Sequence, residues 1–372
     1  MSSSRMPRIV VLTWAIALAA VIALCVAVAH FLSGGGMHMG AADALTRGGT
    51  RGPLDALSPA RLIGSWQLDA VAVAALVLVA AAYLAAVSRV PSRSPGTRWP
   101  LRRTAMFLLG LAVCAYATNG AIAVYDQVLF TAHMAGHLAL VMVAPALLAG
   151  GRPLTLALAA APPRRRARLA RVATGRVASV LFAPPTALAA YAVVIVASHL
   201  TGLMDTIMRH TWAGQIEHLV YLVVGYQFFA LIVGNEPIRW RLAAPPRFLL
   251  LAIAMAVDTF TGIVLMQGTH AVALTPSALH VNALSDTRTG GAIMWFGGDG
   301  IMAVIMVGLA VVWLRSVDTA APERGWLEQA RTATFTQHTG TGAQATDDRD
   351  LDSDDDARTA YNEWLAKLAA RR

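Results

Sequence analysis

The chain has 372 residues, of which 56% are hydrophobic and only 14% charged; a soluble protein of this length carries about a quarter charged residues. The apolar residues fall in blocks of about 20, the length a helix needs to cross a bilayer core. With a formal net charge of +9, this composition excludes a water-soluble enzyme.

Eight apolar blocks follow in chain order, at residues 9–32, 68–87, 105–124, 128–148, 181–200, 215–233, 248–266 and 291–314. The expected fold is all-α: a polytopic membrane helix bundle of about eight transmembrane helices, a seven-helix core behind an N-terminal anchor. In residues 1–32, Arg5 and Arg8 precede an apolar run longer than the 7–15 residues of a signal-peptide core. No clear A-x-A site precedes Gly34-Gly35-Gly36, so this segment reads as a retained signal anchor. Residues 33–67, punctuated by Gly, Pro and Ser, read as an extracytoplasmic loop. Residues 68–314 form the membrane domain, with a Pro/Ser/Arg linker at 90–100 and a longer basic loop at 152–178. From 315 to 372 the chain turns polar, with seven aspartates in residues 347–356, and is expected to be a largely disordered cytoplasmic tail. Within it Tyr361, Trp364, Leu365 and Leu368 fall on one helical stripe.

The arginines assign the two sides. With the N-terminus inside and the spans alternating, the inner segments up to Arg247 hold 17 arginines and the outer ones five: Arg47, Arg51, Arg61, Arg209 and Arg288. This positive-inside pattern places both termini in the cytoplasm. The basic charge is then accounted for by topology and anionic lipid headgroups, with membrane lipid as a partner and no nucleic acid. Cys25 and Cys114 both lie inside apolar spans and form no CxxC pair, which argues for packing rather than thiolate chemistry.

The histidines carry the chemistry. Nine of the ten sort to the outer side on this topology, and only His338 does not. His133 and His137 are four apart at the start of the fourth span, so their Cβ atoms stand about 5–6 Å apart on one helix face, where two imidazoles can hold one ion. His199 ends the fifth span, His218 opens the sixth beside Glu217, and His270 follows the seventh. Met134, Met204, Met208, Met266 and Met294 share that depth. Imidazole with thioether, and no thiolate, suits copper in either oxidation state. Each residue also has a plain reading: a histidine at a helix end bonds a headgroup or loop carbonyl, and a methionine packs. Because imidazole must be neutral to ligate, affinity is expected to fall as pH drops through about 6.5.

Two carboxylates lie inside spans: Asp258 mid-way along the seventh and Asp299 a third of the way into the eighth. Each costs about 2.5–3.5 kcal/mol at a helix centre unless paired, protonated or hydrated. A proton or cation relay, support for histidine ligands, and a protonated side chain hydrogen-bonded across helices all fit. Asp126, Asp205 and Asp286, in outer segments, orient ligands or are solvated. HExxH, GxSxG, Walker and strand–helix GxGxxG patterns do not occur. Two haems would need His pairs at two depths, whereas these histidines lie at one.

His133-Met134-x-x-His137, running into Ala144-Pro145-x-Leu147-Leu148 and Gly151-Arg152-Pro153, resembles the core motif of the CtaG-type, multi-span cytochrome c oxidase (caa3) assembly factors. Glu217-His218 is similar to that family's second motif. The segment from Asp286 through Gly290-Gly291 to Trp295, with Asp299 beyond, is similar to its third. Gly214 and Gln215 stand where the family often has a further histidine, and Thr287-Arg288 where it often has two glutamines. The resemblance covers roughly 68–314. It implies a non-catalytic role in maturing a haem-copper oxidase in a bacterial plasma membrane: copper taken from donor proteins and supplied to the oxidase catalytic subunit. On that reading His133 and His137 bind copper transiently, with His218 and His199 or His270 completing the site. Met134 and Met294 are further soft ligands, and Glu217, Asp258, Asp286 and Asp299 support the site or carry protons. A membrane haem or quinone redox protein, a copper permease and a metal-free scaffold are the alternatives.

Overall fold

The computed structural model describes residues 54, 56–93, 98–234, 236–273, 275 and 279–319, with isolated positions between 359 and 370. The expectations for the N-terminal anchor, for most of the following loop and for the acidic tail lie outside these residues. The chain divides into two compact units, 1–310 and 311–372; the fold below is that of the first.

Every described element is a helix. Seven stand where the sequence places spans. They are α1 (Ala70–Arg93), α2 (Leu101–Asn119), α3 (Phe130–Leu138), α4 (Pro184–Leu200), α5 (Thr211–Phe229), α6 (Ala244–Met266) and α7 (Ala283–Ala292). α3 runs on through a π-helical turn, Ala139–Val143, into Ala144–Gly150, and α7 through another, Ile293–Gly297, into Gly298–Thr319. Six are long and apolar enough to cross a membrane; α4, at 17 residues, is the shorter one. The chain is a multi-pass membrane protein, and its surface agrees. Val71, Val193, Leu219, Val223, Leu249, Phe260 and Val304 are exposed on the outer faces, as expected where lipid is the solvent.

Proline chemistry sets several helix starts. Pro153, Pro163, Pro184 and Pro245 each sit in a first turn, where the missing N–H costs nothing. Pro145 lies inside a helix instead, and cannot donate to the carbonyl of Val141. The π-helical turn just before it accommodates the break. The freed Val141 carbonyl is directed at α5: a Cβ on Gly225 would lie 2.2 Å from that oxygen and 2.7 Å from Pro145 Cγ. Only glycine lets these two helices come together. α6 and α7 meet in the same way, because a Cβ on Gly262 would be 2.8 Å from the Gly291 carbonyl, and one on Gly291 would be 2.8 Å from the Gly262 carbonyl.

The basic stretch 152–178 is helical rather than a loop. It forms Pro153–Ala160, Pro163–Thr174 and the first half of Arg176–Leu181, because Ala, Leu and Arg favour helix and the Gly and Pro residues only punctuate it. Gly151-Arg152-Pro153 makes a corner, with Arg152 in the left-handed region at φ 51°. Glu236 then caps the helix beyond: the backbone N–H groups of Leu154 and Thr155 donate to its carboxylate at 3.1 and 2.9 Å, and Thr155 Oγ1 at 2.7 Å. Burial pushes the Glu236 carboxyl above its ordinary value, against these hydrogen bonds.

The helix contacts close a ring. α3 with its continuation packs on α5, α5 on α4, α4 on α6, α6 on α7, and α7 back on α3. α2 leans on α3 from outside and α1 on α2. The interior of this five-helix ring holds His133, His137, His199, Glu217 and Asp258, all buried.

Candidate functional site: a buried histidine cluster

α3 begins with a borrowed cap. Leu129 has no side chain that accepts a hydrogen bond, and the first N–H groups of a helix need one. Asp286, buried in the first turn of α7, supplies it. The backbone N–H of Phe130 donates to the carboxylate at 2.5 Å, that of Thr131 at 3.4 Å, and Thr131 Oγ1 at 2.7 Å. An anion at a helix N-terminus is also favoured by the helix dipole. This fixes the rotation of α3, and with it the direction of the histidines one and two turns on.

His133 and His137 point into the ring and are only 4% and 1% exposed. His199, near the C-terminus of α4, enters from the opposite side at 5% exposure. Its ring centroid lies 4.7 Å from that of His137 and 6.1 Å from that of His133. Its Nδ1 is 2.9 Å from the Ile195 carbonyl and 2.8 Å from Ser198 Oγ. A carbonyl only accepts, so Nδ1 carries the proton and Nε2 keeps its lone pair. α5 completes the cluster with Glu217 and Tyr221, four apart and therefore on one face. The Tyr221 hydroxyl donates to Glu217 Oε1, and its ring stands 4.5 Å from that of His137. Glu217 Oε2 is 3.8 Å from His133 Nε2, too far for a hydrogen bond.

Five buried polar atoms in this one place therefore have no hydrogen-bond partner: His133 Nε2, both ring nitrogens of His137, His199 Nε2 and Glu217 Oε2. Leaving such an atom unpaired costs about 1–3 kcal/mol, and native interiors rarely tolerate it. Imidazole nitrogens beside a carboxylate are a donor set for a late first-row transition metal. Two imidazoles on one ion, at about 2 Å from each nitrogen, stand with centroids roughly 5–6 Å apart, a range that the separations of 4.7 and 6.1 Å bracket. Among the described residues no three His, Cys, Asp or Glu side chains are already set in a ligating arrangement, so the rings would turn on their χ angles to bind.

The other candidates fall elsewhere. His218 is turned away from its neighbour Glu217, and its Nε2 lies 3.7 Å from Asp126 Oδ2 at the edge of the cluster. His270 is exposed, with Nδ1 3.0 Å from Thr269 Oγ1. Met134 and Met294 are fully buried in the apolar core. Met134 packs toward Gly290, where an added Cβ would meet its Cγ at 3.2 Å. Asp258 and Asp299 contact none of the histidines; their hydrogen-bond partners are Tyr191 and Thr259. Tyr221 and Tyr191 are the site residues that histidine counting overlooks. The i, i+4 spacing of Glu217 with Tyr221, and the i, i+8 spacing of Tyr191 with His199, were the signals that would have found them.

The ring and its cluster define a class: a multi-pass helical membrane protein with a buried histidine cluster at one end of its bundle. Within that class the chain belongs to the cytochrome c oxidase caa3 assembly factor family, Caa3_CtaG, whose model matches residues 81–316. It is 31% identical over 327 residues to an uncharacterized protein of Mycobacterium tuberculosis (strain CDC 1551 / Oshkosh) and to one of Mycobacterium bovis (strain ATCC BAA-935 / AF2122/97). Each match covers 84% of this chain and 46% of the relative. A Mycobacterium leprae (strain TN) protein is 28% identical over 328 residues, again with 84% and 46% covered. The chain thus spans about half the length of these relatives. No solved structure matches it.

Proposed function

We propose that this protein is an assembly factor for a cytochrome c oxidase in a bacterial plasma membrane, carrying copper as cargo for the oxidase catalytic subunit rather than catalysing a reaction. Family membership supports the oxidase as partner. The observation that carries the copper reading is the group of five unpartnered buried atoms on His133, His137, His199 and Glu217. His133 and His137 are the primary ligands. As third ligand this reading takes His199 rather than His218, because the hydrogen bond at its Nδ1 leaves the Nε2 lone pair free. Glu217, held by Tyr221, supplies the negative charge that offsets a cation in a low-dielectric interior. His218 with Asp126 stands at the approach, and Asp286 aims α3. The arginine-rich end faces the cytoplasm and the histidine end the extracytoplasmic side.

The test is the metal content and optical spectrum of detergent-purified protein, wild type beside His133→Ala/His137→Ala. About one copper per chain, lost in the double variant, is the expected result. No copper in wild type even after loading would overturn the carrier reading, and a Soret band in the protein as isolated would replace it with a haem protein.

A further inference from the structure

Deeper in the same ring, two carboxylates on neighbouring helices form a second constellation. Asp258, mid-way along α6, is 0% exposed. Its Oδ2 accepts from the Tyr191 hydroxyl at 2.9 Å, and its Oδ1 is buried without a partner. Asp299, just past the π-helical turn of α7, accepts at Oδ2 from Thr259 Oγ1 at 2.9 Å, and its Oδ1 is likewise buried and unpartnered. Thr259 directly follows Asp258, and a Cβ on Gly298 would lie 3.8 Å from the Asp258 Cβ, so α7 sets Asp299 beside Asp258. The groups that face the pair are Tyr191 from α4 and Thr259 from α6. Around them the wall is apolar: Phe228 of α5 packs on Tyr191 with centroids 5.0 Å apart, and Leu138 and Met142 of α3 pack on Gly298. No basic side chain among the described residues is hydrogen-bonded or ion-paired to either carboxylate.

Two carboxylates buried on neighbouring helices, with no cation paired to them, carry an electrostatic cost that one bound proton removes. Their hydroxyl partners satisfy one oxygen of each and leave the other open, which is the place for a proton. The pair is also tied to the histidine cluster. Tyr191, Ile195 and His199 fall at i, i+4 and i+8 on one face of α4, so Tyr191 lies about 12 Å along the helix from His199. At that distance, with an effective dielectric constant of about 20, one elementary charge changes proton binding about tenfold.

We propose that Asp258 and Asp299, with Tyr191 and Thr259, form a proton-binding site in the core of the bundle that gives up its proton when a cation loads the histidine cluster. The exchange balances simply: a cation enters, one carboxylic O–H bond breaks, and the proton leaves to the medium with no change of oxidation state. Return of the proton would favour departure of the cation. The proton site stands on its own geometry, and the exchange rests on the copper reading above.

Infrared spectroscopy of the full chain in lipid nanodiscs tests the first half. A protonated-carboxyl C=O band is expected in neutral buffer, lost in Asp258→Asn or in Asp299→Asn and shifted but retained in Tyr191→Phe, which removes one hydrogen bond without touching a carboxyl. A wild-type spectrum without the band, or a band indifferent to both Asn variants, overturns the site. Copper loading tests the second half. The band should weaken on loading, and wild type should release more protons per copper bound than Asp258→Asn/Asp299→Asn at equal copper content. Equal release overturns the exchange. Failure of copper to bind while the band still answers to the variants removes the exchange together with the copper reading, and leaves the proton site intact.

Discussion

At His199 the Nδ1 proton is committed to the Ile195 carbonyl, and Nε2, buried without a hydrogen-bond partner, keeps its lone pair within a cluster of two further imidazoles. A side chain prepared in this way has a larger effect than one that is merely near. His199→Ala should lower copper affinity at least about tenfold in competition with a chelator, whereas His270→Ala, at an exposed position, should leave it within about twofold. Tyr221 acts through Glu217. Tyr221→Phe keeps the ring against His137 and removes only the hydroxyl, so a loss of about tenfold is expected, together with a lowered unfolding midpoint because the buried Glu217 Oε1 loses its donor. Equal affinities for wild type and Tyr221→Phe would show that Glu217 needs no anchor.

Among the elements, close helix approach is the weak point. Gly225→Ala places a methyl group where the Val141 oxygen now is, and should destabilise by about 1–3 kcal/mol as α5 moves off α3. A lowered unfolding midpoint in detergent is the readout, and copper affinity should fall with it because Glu217 and Tyr221 ride on α5. Asp286→Ala should act on α3 instead, at about 1–2 kcal/mol for a lost cap. At the other end, Glu236 links stability to pH. Burial raises its carboxyl in the folded state, so the folded form is favoured at low pH, and that contribution is lost as pH rises through the raised value. Wild-type stability should therefore carry a downward slope with rising pH that Glu236→Gln flattens, even though the variant loses one acceptor and is less stable overall. An identical slope in the two proteins would remove this link.

On the scale of the whole molecule, the ring places polar chemistry inside a bundle whose outside is apolar, and the two ends differ in charge. Arg164, Arg165, Arg166, Arg168 and Arg171 crowd one helix, Pro163–Thr174, whereas the histidine end has few arginines. With Cys25 and Cys114 replaced by Ser, a single Cys at Arg165 should be shielded from an impermeant maleimide in intact spheroplasts, and one at Ser58 should react. Labelling of the first but not the second would invert the topology and place the histidine cluster on the cytoplasmic side.

The sequence by itself determined the membrane class, the positions of the seven helices now described, and the histidines from which the proposed site is drawn. Those features follow from composition and from spacing along one chain: apolar length, charge bias, and the four-residue repeat that puts His133 and His137 on one face. It put His218 in the site with His199 or His270 beside it, all at similar depth, because depth along a helix is legible in sequence but rotation about its axis is not. Tertiary packing decided which rings come together. Asp286 and the glycine contacts fix how α3, α5 and α7 turn; on α5 that rotation brings Glu217 inward while His218 meets Asp126, and the packing of α4 on α5 and α6 sets His199 beside His137. The separation of Asp258 and Asp299 from the histidines was decided at the same level, since it depends on which faces of neighbouring helices come together.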